Sequence, residues 1–67
     1  MTNARAIYRL PRVKELTSLS RSTIYRLEAQ GQFPERISLS ENTTGWYADE
    51  INQWLANRPR AIQMRKY

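Results

Sequence analysis

The spacing of apolar residues changes several times along the chain, and each change marks an element. Ile7, Tyr8 and Leu10 form a short apolar stretch, strand-like or extended. Val13 and Leu16 stand three apart and share a helix face. Pro11 suits a helix start, where its missing N–H costs nothing, so a short helix is expected over 11–17. Ser18 and Leu19 make a tight connection. Ser20 suits an N-cap, because its hydroxyl can accept a free backbone N–H of the next turn. A second helix is expected over 21–30, with Ile24 and Leu27 inward. Gly31 stands where a left-handed C-cap residue is wanted, and Pro34 lies beyond it.

Farther along, the period shortens. Ile37 and Leu39 alternate with Ser38, which predicts a strand. Residues 40–44 are turn-rich, and Gly45, Trp46 and Tyr47 predict a returning strand. A hairpin this short must pack on something to persist. A last helix begins near Ala48, with Asp49 and Glu50 in the first turn, where the helix dipole favours negative charge. Ile51, Trp54 and Leu55 make one apolar stripe, and Pro59 ends it. Trp46, Tyr47, Trp54 and Leu55 are assigned to the core rather than to base stacking. The order of helix, tight turn, helix, hairpin and helix predicts a mainly α fold with a small β-hairpin, a winged helix-turn-helix. The expected organisation is a flexible N-terminus over 1–6, a binding domain over 7–58 and a basic tail over 59–67. Beyond residue 59, a short helical extension and a disordered tail are equally compatible with the pattern.

Composition narrows the chemistry. The chain has 67 residues, room for one small core. Neither Cys nor His is present. No disulfide or thiolate metal site is possible, and the commonest general base is missing. No cofactor is expected, and the six carboxylates form no obvious catalytic pair, so an enzyme is not expected. The apolar runs are too short to span a bilayer, and the first residues do not resemble a secretion signal. The expectation is a cytoplasmic protein with no membrane partner.

The net charge of +5 is unevenly distributed. Residues 1–40 hold seven basic and three acidic groups, residues 41–57 only Glu41, Asp49 and Glu50. Arg58, Arg60, Arg65 and Lys66 then crowd the end. Two basic segments flanking an acidic one suit a polyanion partner.

The second helix carries the sharpest signal. Successive residues turn by ~100°, so Ser20, Ile24 and Leu27 cluster on one side. Ser22, Arg26 and Ala29 point away, flanked by Tyr25 and Gln30, with Arg21 and Thr23 on the shoulders. A recognition helix offers its N-terminal residues to base edges in the major groove. Arg21, Ser22, Thr23, Tyr25 and Arg26 are therefore the candidate base-reading residues. Arginine bonds guanine bidentately, and Ser or Thr bonds several edges. Ser20 and the helix N-terminus suit a phosphate. Each residue also has a structural reading: Arg26 pairing with Glu15 or Glu28, Tyr25 packing beside Trp46, Ser22 and Thr23 as plain helix-start residues.

The segments RLPRVKELTSLSRSTIYRLEAQGQFPERISLS and GWYADEINQWLANR resemble the AlpA family of small phage and prophage regulators. That family is related to MerR-like winged helix-turn-helix proteins and to excisionases. Leu16 through Arg26, Phe33–Pro34 with Arg36, and Gly45–Trp46 with the Glu50 and Trp54 helix carry the resemblance, which covers about Tyr8 to Arg58. It implies a DNA-binding transcriptional regulator of a mobile element, with residues 20–30 as the reading helix. Relatives usually have Gly in the turn where this chain has Ser18, a strain of about 1 kcal/mol. The wing carries Glu41 and no basic residue, so Asn42, Thr43 and Thr44 are its candidates for phosphate or sugar.

The expected mechanism is phosphate anchoring by Arg12, Lys14, Arg36 and the tail residues Arg58 and Arg60, with base reading from Arg21 to Arg26. Double-stranded DNA is the expected partner, together with further copies of the chain and integrase or RNA polymerase. Two other functions fit the pattern. One is an excisionase that bends attachment-site DNA. The other is a protein-binding antirepressor that uses the Ile7, Tyr8 and Leu10 stretch or the Trp54 helix.

Overall fold

The computed structural model describes residues 5–61. Three helices pack on a small antiparallel sheet: β1 (Ile7–Tyr8), α1 (Leu10–Thr17), α2 (Arg21–Ala29), β2 (Ile37–Ser40), β3 (Thr43–Tyr47) and α3 (Ala48–Ala56). This is a winged helix-turn-helix, with β2 and β3 as the wing. α1 begins one residue earlier than expected, at Leu10, with Pro11 still in the first turn. α2 ends one residue earlier, at Ala29.

The turn between α1 and α2 is locked by its own side chains. The Thr17 hydroxyl donates to the Val13 carbonyl at 2.8 Å and accepts the Leu19 N–H at 3.2 Å. Ser18 takes a left-handed conformation, with φ 62°. Among the described residues it is the only one other than glycine with positive φ. Ser20 then caps α2, accepting the Thr23 N–H. At the other end Gly31, with φ 74°, donates to the Glu28 carbonyl, and Gln32 donates to that of Leu27. That paired pattern is a Schellman motif, which closes the free carbonyls of the last turn.

The sheet order is β1-β3-β2. The hairpin was expected; the pairing of Ile7 with Tyr47 and Tyr8 with Trp46 adds a third strand. Gly45 makes room for it. A Cβ there would meet the Ile7 side chain at 2.7 Å and the Tyr8 carbonyl oxygen at 3.0 Å. Arg5 and Ala6, assigned from sequence to a flexible end, are tied down. The Ala48 N–H donates to the Ala6 carbonyl, and Arg5 reaches Asp49 at 2.7 Å and Glu50 at 3.4 Å.

Val13, Ile24, Trp46 and Ile51 are fully buried, and Phe33 nearly so. Leu16, Leu19, Leu27, Trp54 and Leu55 pack around them. Phe33 is a core residue that periodicity misses, since it lies in a loop. Tyr47 departs from its core assignment. Neighbours in a strand face opposite ways, so with Trp46 inward Tyr47 turns outward, and the Arg5 guanidinium covers its ring at 3.6 Å.

Candidate nucleic-acid interface

α2 owes its orientation to two apolar residues and an aromatic clasp. Ile24 is buried, and Leu27 packs against the core. The loop that follows is fixed by both indoles: Trp46 Nε1 donates to the Pro34 carbonyl at 3.0 Å and Trp54 Nε1 to that of Gln32 at 2.9 Å. Phe33 meets both rings edge-on, at 6.3 Å and 4.7 Å. The wing is thereby held at a set position relative to α2. Both tryptophan N–H groups are occupied and Trp46 is buried, in keeping with a core role.

With that side inward, the helix turns Arg21, Ser22, Arg26, Ala29 and Gln30 to solvent, while Thr23 and Tyr25 are half-buried. Glu15 and Glu28, the candidate partners of Arg26, are engaged elsewhere. Glu15 pairs with Arg12 at 3.0 Å, and Glu28 pairs with Arg36 at 2.8 Å. Among the described residues no carboxylate lies within ion-pair distance of Arg26 or Arg21. Tyr25 is half-buried and packs against the edge of the core. Arg36 lies over its ring at 4.5 Å and Arg21 at 5.4 Å, near enough for a cation–π attraction.

The anchoring candidates are in diverse states. Lys14 is exposed at the end of α1 and has no ion pair among the described residues, whereas Arg12 is paired. The Ser20 hydroxyl is occupied by capping, donating to Thr23 Oγ1 at 3.0 Å and lying 3.3 Å from Ser22 Oγ. Arg36 is held through both its guanidinium and its backbone N–H, each 2.8 Å from the Glu28 carboxylate. Asn42 is exposed in the wing turn, while Thr43 and Thr44 are half-buried in β3 opposite Ser40 and Ser38. Arg58 stacks on Trp54 at 4.1 Å and donates to its carbonyl. Arg60 is exposed. Arg65 and Lys66, and the choice between an extended helix and a disordered tail, lie outside the described residues.

Arg9 is the cation that sequence reasoning passed over. It is exposed, precedes α1 and has no ion pair among the described residues. The available signal was its place between two apolar residues, at a strand-to-helix junction. Among the described residues no metal-binding cluster of acids exists, and no helix is long and apolar enough to cross a membrane.

Arg5 pairs with Asp49 and Glu50 in the first turn of α3. Its hydrogen bond holds the Asp49 carboxyl below the usual carboxylate range; partial loss of water opposes this and the Arg5 charge adds to it. The Arg5 guanidinium is raised in turn, chiefly by the same hydrogen bond.

Comparison with known proteins agrees with this architecture. A family model described as prophage CP4-57 regulatory protein (AlpA) matches residues 6–59. The chain is 44% identical over 50 residues to the uncharacterized protein ORF88 of Enterobacteria phage P4, covering 75% of this chain and 57% of that protein. Little more than half of the phage P4 relative is therefore represented. The chain is also 36% identical over 64 residues to the DNA-binding transcriptional activator AlpA of Escherichia coli (strain K12), covering 84% of this chain and 89% of that one. The family match takes in all three helices and the wing, and this chain belongs to the AlpA family of prophage regulatory proteins.

Proposed function

We propose that the protein is a sequence-specific DNA-binding transcriptional regulator of a phage or other mobile element, working in the cytoplasm. α2 enters the major groove. Arg21, Ser22 and Arg26 meet base edges from its solvent face, and Thr23 and Tyr25 contribute from its margins. The observation that carries this reading is Arg26, exposed on α2 while its two candidate partners, Glu15 and Glu28, are bound to other arginines. A guanidinium with no ion pair among the described residues, on the outward face of a capped helix, suits guanine recognition. The name of the E. coli relative, a DNA-binding transcriptional activator, supports the same reading.

Anchoring falls to exposed cations, with Lys14, Arg9 and Arg60 the foremost, and Asn42 at the wing tip offering a polar contact. Arg12 and Arg58 join by exchanging their present contacts for phosphate. The binding unit spans 7–58, with residues 59–67 as a basic extension. One small domain offers few base contacts, so tight binding requires adjacent copies.

Selection from a pool of random-sequence duplexes tests the reading directly. The protein should enrich one short motif. Footprinting across its own promoter and the nearest attachment site then separates regulator from excision factor. Protection confined to the promoter supports the regulator; phased protection with bending at the attachment site supports the excision factor. Failure to enrich any motif overturns sequence-specific binding.

A further inference from the structure

Glu28 is the one acid of α2, and it does not face solvent with the others. Its side chain is only 13% exposed, against 41% for its partner Arg36. One carboxylate oxygen accepts the Arg36 backbone N–H and the other accepts the guanidinium, each at 2.8 Å. The backbone bond joins α2 to the residue just before β2, so it sets where the wing leaves the helix. The guanidinium bond holds Arg36 over Tyr25, whose ring also has Arg21 nearby. Tyr25, Glu28, Ala29, Glu35 and Arg36 line one open groove beside the helix.

We propose that Glu28 is a positioning residue for DNA recognition: through Arg36 it orients Tyr25 on the reading face and keeps Arg36 from serving as a free phosphate anchor. This rests on the DNA-binding reading above. It also revises the role first assigned to Arg36, which becomes a specificity element rather than an anchor. The physical reason is competition for one guanidinium. Carboxylate and phosphate both form charge-assisted bonds to a guanidinium, but Glu28 is mostly buried and already held by the Arg36 backbone N–H, so departure of the guanidinium strands a buried charge and Arg36 stays with Glu28. Releasing it trades aromatic orientation for an extra sequence-independent contact.

The trade gives opposite changes in two measured quantities. The test is fluorescence anisotropy of the full chain on the duplex enriched by the wild-type protein and on a scrambled duplex of equal composition, across a salt series. Glu28→Gln keeps an amide oxygen for the Arg36 N–H and drops the charge that holds the guanidinium. It should lower the ratio of enriched to scrambled affinity by about tenfold. It should also steepen the log-log salt slope on scrambled DNA by about 0.9, one added phosphate contact. Arg36→Lys keeps a charge for Glu28 but loses the guanidinium over Tyr25. It should lower the ratio similarly and leave the slope unchanged, and it decides the matter alone if Glu28→Gln does not fold. An equal loss on both duplexes, or an unchanged ratio, overturns the proposal and leaves Glu28 a structural residue. If the wild-type protein enriches no duplex, the DNA-binding reading itself has failed.

Discussion

Ser18 holds a backbone conformation that side chains disfavour. Its φ of 62° brings its Cβ close to the following carbonyl, a strain of about 1–2 kcal/mol. Ser18→Gly removes that strain and loosens the unfolded chain, so a net gain of about 0.5 kcal/mol is expected. Urea denaturation reads it, and a loss of stability contradicts the strain. Gly45 is the reverse case. Its φ is ordinary, but a side chain there meets the Ile7 methyl and the Tyr8 carbonyl. Gly45→Ala should lower stability by about 1–3 kcal/mol, the usual effect of overpacking. Asp49 adds a pH signature. Its folded pKa is depressed, so its contribution is present above the ordinary carboxylate range. That contribution is lost as pH falls through the lowered value. The melting difference between wild type and Asp49→Asn should therefore be largest near neutrality and vanish in strong acid. A difference independent of pH contradicts the Arg5 contact as its source.

The elements that the sequence reveals best are those with local punctuation. Ser20 and Gly31 bracket α2, and both act as expected, one as side-chain cap and one as left-handed terminus. Ser20→Ala should cost about 1 kcal/mol by removing the cap, measurable in the same denaturation. The wing was legible from the alternation of Ile37, Ser38 and Leu39. Its register was not: the pairing shifts between Ser38 and Ser40. Neither Glu41 nor Asn42 has the positive φ of a mirror-image hairpin turn, and the irregularity accommodates the mismatch of twist. β1 was illegible as a paired strand, because two residues carry no period. Its place depends on Gly45, 38 residues beyond Ile7 and 37 beyond Tyr8, a non-local contact that local propensity cannot report. Phe33 escaped for a similar reason: only the fold brings Trp46 and Trp54 around it. Phe33→Ala should cost about 3–5 kcal/mol and loosen the wing relative to α2.

At the scale of the whole molecule, charge divides into pairs and free groups. Arg5, Arg12 and Arg36 are paired, whereas Arg9, Lys14, Arg21, Arg26 and Arg60 have no ion pair among the described residues. The net charge of the sequence pointed to a polyanion, and the helix wheel picked the outward face of α2. Neither distinguishes a free arginine from a held one, since Arg26 and Arg36 look alike in sequence. If Arg9, Lys14 and Arg60, joined by Arg12 and Arg58, supply the phosphate contacts, the log-log salt slope on scrambled DNA should be about −4 to −5. The most direct test of the central claim is Arg26→Ala, measured on the enriched and the scrambled duplex with folding checked by melting. The expected result is a loss of about 1–3 kcal/mol on the enriched duplex and much less on the scrambled one. An equal loss on both makes Arg26 a phosphate contact and contradicts base reading by α2.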